Sequence, residues 1–171
     1  MEKIEFHIEG DYDLRQGFRV LIAQKVKPAF NINMGKDREN TVKQFKKDKA
    51  TKKFLIIDLE NHPSNRAIEV SKLSLTDCIS NTCFMVQKME AWFIAQSDRL
   101  FGPSVAAKLS KVNPEHIEKP DIVLSKVLHS MRGKGYNKLK DGNTFLQKLD
   151  FLKLESTFKD VEELAKELKK P

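Results

Sequence analysis

The sequence predicts an α/β fold in which a mainly parallel sheet is flanked by helices and the C-terminal third is helical. Three observations carry this. An alternating strand pattern at Lys3–Glu9 runs straight into a helical one, a continuous apolar run fills 54–57 and ends in acids, and helical stretches with no further strand follow Pro114. At 171 residues the chain is long enough for one sizeable core, since single domains run to roughly 100–200 residues. One domain over 1–171 is expected, with an α/β core in 1–102 and a helical extension, 103–171, packed on it.

In the first strand Ile4, Phe6 and Ile8 fall on one side and Glu5 and His7 on the other, and the pattern stops abruptly at Glu9-Gly10. Leu14, Phe18, Leu21, Ile22 and Val26 then recur at three- and four-residue spacing up to Pro28, which predicts a helix of about four turns. The short run 30–34 predicts a second strand, and Gly35 leads into a polar, lysine-rich helix anchored by Val42 and Phe45. Lys53-Phe-Leu-Ile-Ile-Asp-Leu-Glu60 has the continuous apolar run of a central strand covered on both faces, with acids where it leaves the core.

The segment 61–65 is a loop by composition, and 67–75 is a weak amphipathic stretch. Another apolar run, 82–86, predicts a strand, followed at once by helical spacing over 90–95 and at Leu100 and Phe101, which Gly102-Pro103 stops. Later helices are expected over 121–131, before the Gly133-Lys-Gly135 turn, and around 145–149 and 158–168. That glycine turn lacks the strand, spacing and Ser or Thr of a phosphate-binding loop, so nucleotide hydrolysis is not expected from it.

With 40% hydrophobic and 32% charged residues the chain falls in the globular class rather than the disordered one. No apolar run reaches the roughly 20 residues of a membrane span, and the opening MEKIEFHIEG enters a strand pattern without an export signal, so a cytoplasmic protein is expected. Cys78 and Cys83 are too few for a disulfide framework and have no partners at zinc-ligand spacing. The formal charge of +7 is concentrated at 43–53, where six of eleven residues are lysine. A nucleic acid partner fits that excess, although a solvated helix face is the more ordinary reading.

The residues that carry chemistry are acids at strand ends. In an open parallel sheet, ligands bind beyond the carboxyl ends of the strands, where Glu9, Asp58 and Glu60 are all expected. Period-two alternation puts Asp58 and Glu60 on one strand face, about 6.5–7 Å apart, within reach of one or two hydrated cations. Oxygen ligands of this kind suit Mg2+ or Mn2+, held by a few carboxylates together with substrate phosphate oxygens. Glu9, on a separate strand, is the candidate for moving protons. Glu90 follows a strand and opens a helix, where it is either a helix N-terminal charge or a further contributor to the site.

Ile8-Glu9-Gly10 before a helix, and Leu55-Ile-Ile-Asp58-Leu-Glu60 later, resemble the Toprim (Rossmann-like) domains of topoisomerases, primases and overcoming-lysogenization-defect nucleases. The usual second motif there is Asp-x-Asp, and here it is Asp-x-Glu. Lys88-Met-Glu90-Ala-Trp92-Phe-Ile-Ala95, Tyr136-Asn-Lys138 and Ser156-Thr-Phe158 resemble the Toprim-like family called domain of unknown function 4276. The resemblance implies metal-dependent phosphodiester chemistry on DNA or RNA, with Glu9, Asp58 and Glu60 as metal ligands and Glu90 assisting. It also implies an ABC-type ATPase partner and a role in DNA repair or phage defence. The alternative is a non-catalytic Toprim-like module that binds or regulates together with such an ATPase.

Among the remaining polar residues, His62 follows the acids in a loop and is a candidate contact for substrate, while Arg15 and Lys138 are candidates for phosphate. His7 lies inside the first strand, and His116 and His129 have no partner at ligand spacing. Trp92 reads as core, at helical spacing among apolar neighbours.

Overall fold

The computed structural model describes residues 3–27, 29–60, 62–111 and 113–170. Four parallel strands, β1 (Ile4–Glu9), β2 (Phe30–Gly35), β3 (Lys53–Asp58) and β4 (Thr82–Met85), form one sheet in the order β2-β1-β3-β4. The central pair β1 and β3 is buried on both faces, which is why β3 reads as an unbroken apolar run. Phe54 and Ile56 face one layer, and Leu55 and Ile57 face the other.

The larger layer joins Ile4, Phe6 and Ile8 of β1 to helices α1 (Arg15–Ala23), α4 (Glu90–Ala95), α5 (Ser97–Phe101), α6 (Pro103–Leu109) and α7 (Pro120–Arg132). It continues into α8 (Lys138–Lys148), α9 (Phe151–Thr157) and α10 (Lys159–Leu168). The smaller layer holds Val42 and Phe45 of α2 (Arg38–Lys47) against Leu55, Ile57 and Leu59, with α3 (Arg66–Lys72) beside it. The expected parallel sheet, flanking helices and helical C-terminal part are all present. No helix among the described residues is long and apolar enough to cross a membrane.

Several boundaries differ from expectation. The first helix starts with a 3-10 turn, Tyr12–Leu14, and ends at Ala23, short of Pro28, which lies outside the described residues. Two helices that the periodicity left unmarked, α6 and α9, are short pieces with only two buried residues each, too few for a pattern. Helix α8 begins seven residues before its first expected apolar anchor, because its first turns are polar and capped by Asn137, which accepts from the N–H of Lys140.

Two features fix how the layers meet. Gly17 lets α1 and α8 touch: a Cβ there would come within 2.6 Å of the Leu146 Cβ. The Gly17 N–H, one of the unpaired donors of the first helical turn, donates to the Asn143 side chain of α8. At the far edge, the outward N–H of Phe84 in β4 donates to Asp160 of α10, and Arg66 of α3 pairs with the same carboxylate at 3.0 Å. That edge is thereby covered rather than left open for pairing.

Candidate functional site

The chain runs from β1 outward to β2 and then returns across β1 to β3, so the strand order reverses between β1 and β3. A crevice opens at such a switch point, beyond the carboxyl ends of the two strands. Glu9 ends β1 and Asp58 ends β3. Gly10, with φ +144°, turns the backbone away at once, in a region that favours glycine. The Asp58 N–H donates to Glu9 Oε2 at 3.0 Å, and the Met89 N–H donates to Asp58 Oδ1 at 3.0 Å. The carboxylate of Asp58 is thus held between two strand ends and the start of α4.

Asp58 is 6% exposed. Burial pushes its pKa up to about 8, opposed by Lys138 and reinforced by the neighbouring charges of Glu9 and Glu90. Burial also raises Glu9, against the guanidinium of Arg38 and the donated Asp58 N–H. These are carboxyls kept in a poorly solvated place, which is costly and is a common mark of a functional site.

Glu90, at the first position of α4, is 1% exposed. Its Oε1 accepts from the Tyr136 hydroxyl at 2.9 Å, and its Oε2 has no hydrogen-bond partner among the described residues. Burial and the facing Glu90 carboxylate raise the Tyr136 pKa, so the phenol stays protonated and donates. Lys138, at the start of α8, faces the group. Burial works against its charge, but the carboxylates of Asp58, Glu90, Asp11 and Glu9 hold its pKa above the ordinary value. Trp92 is core, as expected, and packs near Phe158.

Glu60 is oriented differently from the period-two expectation. Strand β3 ends at Asp58, and Glu60 has φ +56°, so the alternation stops before it. Its side chain is exposed and pairs with Arg38 of α2 at 2.9 Å, while Arg38 also approaches Glu9 at 3.6 Å and buried Glu69 at 3.4 Å. Asp58, by contrast, follows Ile56 toward the larger layer. The acids therefore form two groups that meet at Glu9: Asp58 and Glu90 around Lys138, and Glu9, Glu60 and Glu69 around Arg38. Sequence reasoning missed Arg38 and Glu69, because both lie in polar helices where a charged residue reads as surface.

Two clefts open beside this centre. One, of about 440 Å3, is lined by Lys88, Glu90, Asp121, Lys126, Tyr136 and Lys138 among others. The second, of about 400 Å3, is lined by Glu60, His62, Gln87, Lys88, His116 and Lys119 among others. Lys88 borders both. His62 therefore lies beside the acids, whereas Arg15 donates to the Ile32 carbonyl and to the Tyr12 hydroxyl and lines a different hollow with Arg19.

The lysines of 43–53 sit elsewhere. They occupy the C-terminal part of α2 and the approach to β3, at the amino end of the sheet, opposite the acids. Lys46 donates to the Leu73 carbonyl, Lys52 to that of Lys170, and Lys53 to those of Phe45 and Asp48. His7, in β1, is buried against Asp48 at 2.7 Å.

The family model described as a domain of unknown function (DUF4276) matches residues 18–169. The chain belongs to that family. The DUF4276 match contains Asp58, Glu60, Glu90, Tyr136 and Lys138, and Glu9 precedes its first residue. No curated protein matches the chain, and no solved structure does.

Among the described residues, no three of the His, Cys, Asp and Glu side chains are grouped so as to hold a metal by themselves. The donor chemistry nonetheless fits a hard cation. Glu90, whose Oε2 has no hydrogen-bond partner among the described residues, lines an open cleft, and buried Asp58 is near enough to feel its charge. An ion such as Mg2+ is commonly held by one or two carboxylates plus waters and substrate phosphate.

Proposed function

We propose that this DUF4276 chain is a Toprim-related phosphodiesterase that acts on nucleic acid with Mg2+ or Mn2+, most simply a nuclease. The observation that carries the reading is the interlocked pair at the β1–β3 switch point, where Glu9 accepts from the Asp58 backbone and buried Asp58 and Glu90 face Lys138. Asp58 and Glu90 would hold the cation, and Glu60 joins them only after its ion pair with Arg38 opens. A divalent ion held there would supply the polarisation of a phosphodiester and a lowered pKa for water.

The chain's own residues do the rest. Glu9, its pKa raised by burial, is suited to take a proton from the attacking water. Lys138 neutralises charge that develops on the phosphate, and Lys88 and Lys126 along the adjoining cleft contact the flanking backbone. The Tyr136 hydroxyl fixes Glu90 so that its second oxygen remains free.

A second reading is a non-catalytic module that binds metal or nucleic acid and reports to an ABC-type ATPase, within DNA repair or phage defence. It is favoured by the pairing of the acids with the chain's own cations, Arg38 and Lys138. Incubation with single-stranded DNA, duplex DNA and RNA in Mg2+ or Mn2+ separates the two. Cleavage lost in Glu9→Gln and in Asp58→Asn supports the enzyme. Metal binding without cleavage of any substrate, even with an ATPase added, supports the module.

A further inference from the structure

The second cleft has a composition that phosphodiester chemistry alone does not require. Its wall carries the rings of His62 and His116, with centroids 4.8 Å apart and planes inclined at 39°. They come from separate turns: His62 precedes the 3-10 turn Pro63–Asn65, and His116 ends another, Pro114–His116. Both are exposed. The His62 ring is held in place through its Nδ1, which lies 2.9 Å from the Ser64 hydroxyl. Two heteroaromatic rings in contact, one of them held by a hydrogen bond, offer an exposed ring face for stacking.

The backbone around the cleft is unusual as well. Among the described residues four that are not glycine have positive φ: Glu60, Ser74, Gln87 and Lys119. Three of these, Glu60, Gln87 and Lys119, line this cleft. Such conformations are strained for residues that carry a side chain, and they gather at ligand clamps. They bring a carboxylate, an amide and an ammonium to the lining of the cleft that holds the histidine pair. Lys88 joins the cleft to the one that contains Glu90 and Lys138, so a phosphate at Lys88 would have a base on one side and the acidic centre on the other.

We infer that the His62–His116 cleft binds an unpaired nucleobase adjoining the scissile phosphodiester, and that the substrate is single-stranded where it is cut. This rests on the nucleic acid reading above. Bases splayed out of a helix stack on aromatic side chains, histidine included, and offer their edges to polar groups. A paired, stacked base cannot enter a recess of this size while its helix stays intact.

Fluorescence anisotropy of the full chain in EDTA measures this without any cleavage step. The probes are a labelled single strand, a blunt duplex of the same sequence, and a single strand of equal length in which abasic nucleotides replace the bases. The wild type is expected to bind the single strand at least about tenfold more tightly than either of the others. The variant His62→Ala/His116→Ala, with its fold checked by thermal melting, is expected to lose that advantage and to bind the abasic strand as the wild type does.

Equal binding of all three probes by the wild type overturns the inference, as does a loss in the variant that is as large for the abasic strand. If equal binding accompanies metal-dependent cleavage, only the base cleft falls. If no probe binds and nothing is cleaved, the nucleic acid reading falls with it.

Discussion

Glu9 Oε2 accepts the backbone N–H of Asp58 across 3.0 Å, so the acid that ends one central strand is locked to the end of its neighbour. This bond turns two residues 49 positions apart into one unit at the sheet's switch point, and what surrounds the unit determines how it behaves.

The first prediction concerns pH. Burial lifts Asp58 from an ordinary 3.8 to about 8, so between those values the folded protein binds a proton that the unfolded chain has released. Stability then falls as pH rises across this window, with Glu9 acting in the same direction. Asp58→Asn removes most of that slope. In EDTA at pH 8.5, chosen above the Asp58 pKa, the variant is expected to melt higher than the wild type by roughly 5 °C, on a scale of about 2–4 °C per kcal/mol.

Arg38 is the second test. It serves Glu9, Glu60 and buried Glu69 together, and without it Glu69 keeps, among the described residues, only Lys72 at 3.8 Å. Arg38→Ala is expected to lose about 3 kcal/mol in urea unfolding at pH 7, the usual cost of an uncompensated buried charge. Arg38→Ala/Glu69→Leu should recover a large part of the loss.

Tyr136 tests whether Glu90 is a ligand. Tyr136→Phe leaves both Glu90 oxygens without a donor among the described residues, in a buried place, and is expected to cost about 1–3 kcal/mol. A divalent cation at Glu90 compensates, so 5–10 mM MgCl2, on the order of common assay concentrations well above weak carboxylate affinities, should raise the melting temperature of the variant more than that of the wild type. An equal shift in both would remove Glu90 from the cation site.

Gly17 connects distant packing to the site. A Cβ there meets the Leu146 Cβ at 2.6 Å and the Asn143 carbonyl at 2.8 Å, which forces α8 away from α1. Gly17→Ala is expected to cost about 1–3 kcal/mol, the usual range for overpacking. Because α8 carries Lys138, the same variant should weaken nucleic acid binding measured by anisotropy.

The strand ends that carry Glu9 and Asp58 were readable in the sequence because an apolar run must end where its strand leaves the core. Phe54–Ile57 followed by Asp58, and Ile8 followed by Glu9-Gly10, marked the two strand ends without reference to any tertiary contact. Glu90 was readable for the same reason, one residue into a helix after β4. The direction of Glu60 was not, since nothing in Leu59-Glu60 announces a left-handed residue, a conformation usually given to glycine or asparagine.

Arg38 stayed hidden because a helix with three buried residues leaves a charged side chain in its first turn looking like surface. The lysine-rich segment was conspicuous, but its place at the opposite end of the sheet depends on chain direction, and three of its lysines cap backbone carbonyls. The basic groups near the acids, Lys88, Lys119, Lys126 and Lys138, are dispersed over fifty residues of sequence and come together only in the fold.

The central claim, that the acids at the β1–β3 switch point hold a catalytic divalent cation, is tested most directly by anomalous scattering from crystals soaked in MnCl2. The account predicts a manganese peak in contact with the carboxylates of Asp58 and Glu90, absent from crystals of Asp58→Asn. Metal-dependent cleavage in solution together with a peak on other residues, or with none at Asp58, would contradict it.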